Sequence, residues 1–576
     1  MLVSKAHIID DLRNRGLWGE SRITDLFSRN VARHPEWTAL VDAPNRPSFT
    51  DGAPRRLTHR ELAEQTDLMA CRLLSLGIAK DDILVVQLPN IAELVITFLA
   101  AWKIGAIVSP VAVQFREHKL GHILKRLRPR AFVTCSKFKG FDAAQLAEGC
   151  RGELGYDVLV WGDRVDGAHV SLDRALREAP PDDGSAVAAL EAHLRRAPVS
   201  ADDAATICWT SGTEGVPKGV PRSHNHWIAI GHGTHDAIAV RPGEVLLNPF
   251  PMVNMASIGG LFMSWVQSAG RLVLHHPLDL GVFLRQIAEE GVQHTVAPPA
   301  LLNMILRDEK LRATVDFASL RTISSGSAPL SPWMVQGYSR EFGIEVVNLF
   351  GSNEGMALIS GPGDVADPER RASLFPRFGR PEFSWKNRVS AHIETQLRDL
   401  ASGEEILEPG RVGEMLIRGA TVFGGYFGSD ELNEKAFTED GFFRSGDLFE
   451  IAGPGDEAAF YRFVGRLKQL IIRGGMNISA EELEMVLGGH PKLAEVAVVG
   501  YPDETMGERV CAVVVPRSEQ GVTLDEITGY LKEQGVAVYK FPERLSVVDR
   551  LPRNPLNKIV RRELREVAAA GEPAAL

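Results

Sequence analysis

The chain has 576 residues, of which 44% are hydrophobic and 24% are charged, as in an ordinary globular protein. This length exceeds a single hydrophobic core and predicts several domain-sized units. Because 74 acidic residues outnumber 64 basic ones, the net charge is −10, which disfavours a nucleic acid as the main partner.

Targeting and membrane signals are missing from the sequence. The N-terminus carries charged residues such as Lys5 and Asp10 where a signal peptide has its apolar centre. The longest apolar stretch, residues 91–113, is interrupted by Glu93 and Lys103, and it reads as a buried helix followed by a strand. The five cysteines are far apart and form no C-x-x-C motif, so we expect a reducing compartment and neither disulfides nor a zinc site. We therefore expect a cytoplasmic protein that does not span a membrane.

The elements predicted along the chain alternate between helices and strands. Thr58 and Glu61 form a capping box at the start of the first long helix, which Gly77 ends. Such alternation predicts parallel sheets with right-handed crossovers. Buried strands are predicted at residues 83–88, 106–110, 271–274, 320–323 and 345–349.

The character of the sequence changes in its last third. Residues around 413–419 alternate between apolar and polar, which predicts a β-rich region. The strongest candidate boundary lies at residues 465–468. A compact α+β unit follows, with a helix predicted at residues 480–487 and strands at 496–499 and 510–515.

Residues 210–219, with the sequence TSGTEGVPKG, carry the strongest chemical signal. Glycines let backbone N–H groups approach an anion, hydroxyls donate further hydrogen bonds, and Lys218 adds a positive charge, so the segment predicts a polyphosphate site. It is not a Walker A loop, because Pro217 stands where that motif needs its second glycine. This residue pattern resembles the signature loop of the adenylate-forming enzymes, which include acyl- and aryl-CoA ligases, nonribosomal adenylation domains and luciferases.

Further segments resemble that family's motifs and occur in the family's order, from the helix at residue 57 to Lys558. Asn353 stands where the family usually has threonine, Asn554 replaces another threonine, and Asn557 replaces a glycine. Asparagine tolerates left-handed backbone conformations better than most residues, so the last loop can keep its shape. The segments are SGSAPL at residues 325–330, FGSNE at 350–354, RSGD at 444–447, GRLK at 465–468 and LPRNPLNKI at 551–559.

The resemblance implies an α/β fold, with a large N-terminal domain of parallel sheets flanked by helices plus a distorted β-barrel, and a small mobile C-terminal α+β domain. We expect the N-terminal AMP-binding domain at residues 1–465, a hinge at 466–468 with Lys468 as the pivot, and the mobile domain at 469–576.

The resemblance also implies roles for individual residues. Lys558 bridges the attacking carboxylate and the α-phosphate, Asp447 accepts hydrogen bonds from both ribose hydroxyls, and Glu354 holds Mg²⁺. The implied catalytic residues are Lys558, Arg466, Glu354 and Lys218. The implied nucleotide-binding residues are Thr210, Ser211, Gly212, Thr213, Glu214, Gly215, Lys218, Gly326, Ser327, Ala328, Phe350 (against the adenine face), Gly351, Ser352, Asn353, Asp447, Arg466 and Lys558.

The acyl substrate is expected beside Asn254, Met255 and Ser257, with Gly326 and Gly351 completing the pocket. Relatives often carry histidine at the position of Asn254, and dihydroxybenzoate-activating enzymes follow it with asparagine. Met255 lacks that hydrogen-bonding group and fits apolar shapes, which favours an alicyclic, aromatic or medium-chain aliphatic acid. On the thiol side, Arg473, Gly474 and Gly475 would accommodate a pantetheine arm.

The implied reaction uses ATP, Mg²⁺ and coenzyme A to convert a carboxylic acid into its CoA thioester through an acyl-adenylate. One alternative is a free-standing adenylation enzyme that loads the phosphopantetheine of a carrier protein. Another is a luciferase-like oxygenase or a non-catalytic acyl-adenylate-binding relative. The presence of Lys218, Glu354, Asp447, Arg466 and Lys558 speaks against a loss of catalysis.

Overall fold

A computed structural model describes residues 1–162, 169–177, 185–210, 217–355, 357–474, 476–518, 521–553 and 559–570. Helices and strands alternate along most of this part of the chain. The α-helices are Ala6–Asn14, Ile23–Arg33, His59–Ser75, Ala92–Ile104, Glu117–Leu127, Ala143–Gly149, Leu172–Arg177, Ser185–Arg196, His224–Ile238, Met263–Ser268, Leu280–Glu289, Pro299–Arg307, Glu309–Thr314, Pro332–Phe342, Pro368–Ser373, Val389–His392, Asp430–Ala436, Ala480–Leu487, Leu524–Glu533 and Arg561–Ala570.

The largest sheet has eight strands, of which six run parallel and the two at its edges run antiparallel. Parallel strands of this kind are buried on both faces, which explains why strands such as Val245–Asn248 and Arg271–Leu274 have apolar runs and no alternation. In spatial order the strands are Ala357–Ser360, Glu345–Gly351, Thr322–Gly326, His294–Val296, Val245–Asn248, Arg271–Leu274, Thr38–Val41 and Arg56–Thr58.

A second sheet has seven strands, and only its edge strand Gly219–Ser223 runs antiparallel to its neighbour. This strand is the return path of the polyphosphate loop predicted from the sequence. In spatial order the strands are Gly219–Ser223, Ala204–Trp209, Ile107–Pro110, Ile83–Gln87, Ala131–Cys135, Asp157–Trp161 and Val170–Ser171.

The long apolar stretch of the sequence is a buried helix followed by a strand, as predicted. In helix Ala92–Ile104, every residue except Lys103 is buried, and most of them belong to the main hydrophobic core. Strand Ile107–Pro110 follows directly. Among the described helices, none combines the length and the apolar character needed to span a bilayer.

Local signals in the sequence predicted the start of the first long helix correctly. The hydroxyl of Thr58 accepts the N–H of Glu61 at 3.2 Å, and the Glu61 carboxylate accepts the N–H of Thr58 at 2.8 Å. This reciprocal pair satisfies two N–H groups that the helix leaves without intrahelical partners. Helix His59–Ser75 begins at this box, and Gly77 follows its end with a φ of 75°.

The β-rich region predicted around residues 413–419 belongs to a third sheet, whose five strands are all antiparallel. Its strand Phe460–Arg466 carries the chain towards the C-terminal unit. In spatial order the strands are Leu374–Pro376, Phe460–Arg466, Phe443–Ile451, Val412–Gly419 and Ile393–Arg398. A small separate hairpin pairs Lys137–Phe138 with Phe141–Asp142.

The C-terminal unit has its own sheet and its own hydrophobic clusters. Strands Met476–Ser479, Leu470–Arg473, Gly507–Pro516 and Leu493–Asp503 are neighbours in that order, and Arg544–Val547 adds to Gly507–Pro516 in parallel. Two apolar clusters pack around this sheet. The predicted fold class, a mixed α/β protein with large parallel sheets and a small C-terminal unit, is confirmed. The boundaries at residues 465 and 468 stay a prediction.

Candidate active site

The stem of the polyphosphate loop is well defined. Strand Ala204–Trp209 ends at Trp209, and the N–H of Thr210 donates to the carbonyl of Lys218 at 3.0 Å. This bond closes the base of the loop before strand Gly219–Ser223 returns antiparallel. The predicted phosphate-binding residues between these ends lie outside the described residues. They are Ser211, Gly212, Thr213, Glu214 and Gly215.

Lys218 and Glu354 meet through a residue that the sequence analysis did not identify, Tyr426. The ammonium of Lys218 lies 4.8 Å from the centroid of the Tyr426 ring, and the Tyr426 hydroxyl donates to Oε1 of Glu354 at 2.9 Å. Burial, together with the neighbouring carboxylate, raises the pKa of the Tyr426 phenol, which therefore stays protonated and acts as a donor. The Asn433 side chain holds Tyr426 by accepting its N–H at 2.6 Å and donating to its carbonyl at 3.2 Å.

Asp447 and Arg466 form the second charged part of the site. They are opposite each other on neighbouring antiparallel strands, and Arg466 Nε lies 3.1 Å from Asp447 Oδ1. Asp447 is only 5% exposed. Burial raises its pKa to about 6; the Arg466 charge opposes this rise, and the Glu354 and Glu414 carboxylates add to it. Asp447 therefore changes its charge close to neutral pH.

The predicted adenine loop follows strand Thr322–Gly326. A side chain at Gly326 would overlap the carbonyl oxygen of Leu349 on the next strand, so only glycine permits this close approach. Ser327 adopts a φ of 68°, which turns the chain sharply towards the exposed Ala328. Gly326 is thus placed beside strand Glu345–Gly351, which leads into the FGSNE motif.

Phe350 is half-buried and takes part in an aromatic cluster. Its ring centroid lies 5.0 Å from those of Phe449 and Phe463, and 5.8 Å from that of Phe375. These edge and tilted contacts fix the orientation of the ring. Its predicted position against an adenine stays a prediction.

The residues after Phe350 face different surroundings. Gly351 is exposed, whereas the Ser352 hydroxyl is buried without a hydrogen-bond partner among the described residues. Asn353 uses its side chain within the protein: Oδ1 accepts the N–H of Met255 at 2.9 Å, and Nδ2 donates to the carbonyl of Trp209 at 3.2 Å. The FGSNE motif therefore contacts both the strand that leads into the polyphosphate loop and the predicted acyl-binding segment.

The predicted acyl-binding residues differ in what they contact. The Ser257 hydroxyl is buried and bonds to the Phe250 carbonyl at 2.9 Å and to the Asn248 amide at 3.0 Å. Asn254 accepts the N–H of Ser257 at 3.3 Å. Both side chains thus hold the segment that leads into Ala256–Phe262, a π-helical stretch of the kind often found at functional sites.

Met255 is partly buried on the apolar side of this segment. A side-chain carbon added to Gly259 would lie 3.4 Å from Met255 Cγ and 2.6 Å from Ile230 Cγ2. Met255, Gly259 and Ile230 therefore lie close together on the π-helical stretch and the facing helix His224–Ile238.

On the C-terminal unit, Arg473 makes a two-pronged ion pair with Glu543, at 3.1 Å and 2.7 Å. Gly474 has a φ of 56°, and a side chain there would come within 2.7 Å of Met506 Cε. Lys468 is exposed between the two units. Gly475 and Lys558, which the sequence analysis placed at the thiol side and at the catalytic centre, lie outside the described residues.

Glu481 is a second residue that the sequence analysis did not identify. It is buried at the start of helix Ala480–Leu487, and its Oε2 has no hydrogen-bond partner among the described residues. A side chain at Gly465 would come within 3.2 Å of that oxygen. Burial raises the pKa of Glu481 to about 7. The residue that precedes the predicted hinge is therefore close to a carboxyl group.

A single carboxylate suits the proposed metal. Mg²⁺ commonly binds through one or two carboxylates and completes its coordination with substrate phosphates and water. Glu354 has one oxygen engaged by Tyr426, which leaves Oε2 as an oxygen ligand. Across the described parts of the chain, no group of three or more His, Cys, Asp or Glu side chains is arranged to hold a metal. Glu354 alone would suit an ion that also binds the phosphates of a nucleotide.

Comparison with known proteins identifies the family of this chain. Residues 27–427 match the family described as AMP-binding enzyme, and residues 482–558 match the AMP-binding enzyme C-terminal domain. Triostin synthetase I from Streptomyces triostinicus is 31% identical over 569 residues, which cover 98% of this chain and 98% of that protein. The medium-chain fatty-acid–CoA ligase of Escherichia coli is 30% identical over 558 residues, covering 96% of this chain and 92% of the ligase.

A solved structure shows the same fold. The anthranilate CoA ligase AuaEII, crystallised in complex with anthranoyl-AMP, superposes with a TM-score of 0.78 at 22% identity, covering 96% of this chain and 98% of that one. Given the match over residues 27–427, the chain belongs to the AMP-binding enzyme family, that is, to the adenylate-forming enzymes.

Proposed function

We propose that this enzyme activates an apolar carboxylic acid with ATP and transfers the acyl group to the thiol of coenzyme A, releasing AMP and pyrophosphate. The observation that carries the proposal is the cluster of Lys218, Tyr426, Glu354, Asp447 and Arg466. These residues form a chain of contacts: Lys218 lies over the Tyr426 ring, Tyr426 donates to Glu354, the Glu354 charge acts on Asp447, and Asp447 pairs with Arg466. A cytoplasmic location, expected from five cysteines that are all free, is part of the proposal.

The charges of the cluster suit the electrostatic problem of the reaction. A carboxylate oxygen must form a bond to the α-phosphorus, while the bond from that phosphorus to the bridging oxygen breaks and pyrophosphate leaves with the electron pair. Lys218 and Arg466 offer positive charge to the phosphates, and Asp447 offers two acceptor oxygens to the ribose hydroxyls. Mg²⁺, held by Glu354 when it is bound, would supply further positive charge to the phosphate oxygens. Lys558 is proposed as the cation between the acid and the α-phosphate.

The acyl pocket favours an apolar acid. The Asn254 and Ser257 side chains hold their own loop, while Met255 lies against Ile230 and Gly259. Met255, which is only partly buried, supports a substrate that is bound by apolar contact. The names of the relatives, which refer to a medium-chain fatty acid and to anthranilate, support an aliphatic or aromatic acid of moderate size.

The thiol side is proposed to accept a pantetheine arm. The Gly474 turn has no side chain, and any larger residue would press on Met506, so the turn keeps a narrow surface beside Arg473. Coenzyme A and a carrier protein share this arm. We propose coenzyme A as the acceptor, and a carrier protein is the alternative that the first experiment separates.

The first test supplies the purified enzyme with ATP, Mg²⁺ and a panel of carboxylic acids, and measures AMP and pyrophosphate. We expect an apolar acid of moderate size to release both, and added coenzyme A to yield the acyl thioester by mass spectrometry. Accumulation of acyl-adenylate that only a pantetheinylated carrier protein consumes would instead identify the alternative acceptor.

Replacing Lys558 in the same assay is expected to lower the rate of adenylation by about 10²–10³, the usual effect of losing a preorganised charge at a transition state. The matched control is Lys492→Ala, because Lys492 is an exposed lysine of the C-terminal unit that pairs only with Glu526 among the partners described. Full pyrophosphate exchange in Lys558→Ala, or no AMP from any acid with the unaltered enzyme, would contradict the proposal.

A second prediction concerns Tyr426. Tyr426→Phe keeps the ring beneath Lys218 but removes the hydrogen bond to Glu354, which is worth about 1.5 kcal/mol when one partner is charged. We expect the Mg²⁺ concentration for half-maximal pyrophosphate exchange to rise about tenfold. Tyr461→Phe is the control, since its hydroxyl meets Thr395 at 3.1 Å within the five-stranded antiparallel sheet and not Glu354. An unchanged Mg²⁺ profile in Tyr426→Phe would show that the bond does not position the carboxylate.

A third prediction follows from the raised pKa of Asp447. A carboxylate accepts ribose hydroxyls better than a neutral carboxyl group does, so binding should weaken as the pH falls through about 6. Adenosine is the suitable probe, because it carries both ribose hydroxyls and no phosphate that titrates in this range. We expect its affinity to fall about tenfold from pH 7 to pH 5 by proton linkage.

Asp447→Asn removes the titrating group and keeps one acceptor oxygen. Its affinity for adenosine should be lower than that of the unaltered enzyme and nearly independent of pH between 5 and 7. If both proteins showed the same decline, another group would be responsible for it.

A further inference from the structure

The side chain of Asn353 joins two segments that the proposed function assigns to different substrates. Its Oδ1 accepts the N–H of Met255 at 2.9 Å, in the segment proposed for the acid. Its Nδ2 donates to the carbonyl of Trp209 at 3.2 Å, directly before the loop proposed for the phosphates. The orientation of the amide is determined by chemistry, because Met255 offers a donor and Trp209 an acceptor.

We propose that Asn353 is a positioning residue that couples the binding of the acid to the binding of the nucleotide. The inference rests on the proposed function, since it needs both substrates to bind where that function places them. Neither bond is made to a ligand, so the residue acts through the backbone of Met255 and of Trp209.

The backbone of Asn353 is held in place, which lets its side chain connect the two segments firmly. The buried guanidinium of Arg222 donates from Nε to the Asn353 carbonyl at 3.0 Å, and from Nη1 to the Thr421 carbonyl at 2.9 Å. Glu354, the next residue, is held by Tyr426. Because the main chain is anchored on both sides, a displacement of Met255 reaches Trp209 through reorientation of the Asn353 side-chain amide, which carries both hydrogen bonds.

The chemistry of the amide is suited to this bridge. It presents an acceptor and a donor on two separate atoms at the end of a short, stiff side chain. The adenylate-forming enzymes that this chain resembles usually have a threonine at this position. Threonine offers a single oxygen atom, which lies closer to the backbone. The bridge between Met255 and Trp209 therefore depends on the asparagine that this chain has at position 353.

Two segments linked in this way should bind their ligands cooperatively. An acid that orders the Met255 segment also orders the end of strand Ala204–Trp209, so less conformational entropy is lost when the second ligand binds. Coupling is reciprocal: the factor by which nucleotide tightens the acid equals the factor by which acid tightens the nucleotide. Couplings between protein sites usually amount to about 5- to 150-fold.

The experiment measures this factor by calorimetry on the whole enzyme with ligands that cannot react. The probes are α,β-methylene-ATP with Mg²⁺ and the acid that gives the fastest AMP release in the panel. For the unaltered enzyme we expect the Kd of the acid to fall at least about fivefold when the nucleotide analogue is saturating. For Asn353→Ala we expect the ratio of the two Kd values to approach one, while the acid alone binds within about threefold of its original affinity.

Asn353→Asp is the second variant, because it keeps the size of the side chain and the acceptor for Met255 but loses the donor to Trp209. Its added charge changes the affinity for nucleotide itself, and the ratio of acid affinities with and without nucleotide corrects for that. We expect this ratio to fall as well. Since the Asp variant preserves the packing, it also provides the answer if the Ala variant does not fold.

Asn387→Ala is the matched control. Asn387 is a buried asparagine that also bridges two backbone groups, donating to the Gly233 carbonyl at 2.9 Å and accepting the Val389 N–H at 3.1 Å, but it touches neither Met255 nor Trp209. Its coupling factor should equal that of the unaltered enzyme. A wild-type factor near one, or a full factor in the Asn353 variants, overturns the inference even though the acid is still activated. Failure of the proposed function is a separate outcome, because then no acid yields AMP.

Discussion

The arrangement of the site depends on Arg222, a guanidinium with no measurable exposure to solvent. It lies on the strand that leaves the polyphosphate loop, donates to the carbonyls of Asn353 and Thr421, and stacks over the Trp227 ring at 5.3 Å. Burial lowers its pKa to about 10, so it keeps its charge at neutral pH. A buried cation is costly unless its donors are satisfied, so the two carbonyls must stay where they are.

This requirement brings three distant segments together at one point. The loop stem, the FGSNE motif and the segment from Thr421 to Tyr426 all meet around the guanidinium. Gly355 makes the last of these approaches possible, because a side chain there would overlap the carbonyl of Thr421 and its φ is 113°. The Thr421 hydroxyl in turn donates to the Gly355 carbonyl at 2.9 Å. Glu354, between Asn353 and Gly355, is thereby presented to Tyr426.

The sequence was sufficient to predict those elements whose structure depends on interactions between residues close in the chain. The capping box of Thr58 and Glu61, the apolar runs of the parallel strands and the order of the motifs all depend on neighbours within a few residues, and the strands that they predicted are present. The contacts that assemble the site are of another kind. Tyr426 reaches Glu354 across 72 positions, and Arg222 reaches Asn353 across 131. Neither the periodicity nor the composition of the sequence predicts such pairs. A tyrosine that follows two glycines is also typical of an ordinary turn.

The difference between local interactions and contacts distant in sequence also explains why the motifs alone did not determine the roles of Ser257 and Phe350. A serine beside an acyl pocket and an aromatic residue beside a nucleotide site can each face a ligand or the protein. Ser257 satisfies its hydroxyl with Asn248 and Phe250, and Phe350 packs against three other rings. Whether such a side chain faces inward depends on its neighbours in space.

The charged and apolar parts of the site are kept apart, and the FGSNE motif lies at the border between them. On one side, burial raises the pKa of Asp447, the Arg466 charge opposes this rise, and the Glu354 carboxylate adds to it. On the other side, Met255 is a partly buried apolar side chain, and Ile230 and Gly259 are buried near it. An organic acid has the same division, with an anionic head and an apolar body. Under the proposed function, the head must lie on the side where cations offset the carboxylates, so the apolar surface selects the acid and the charged cluster determines which end of it can react.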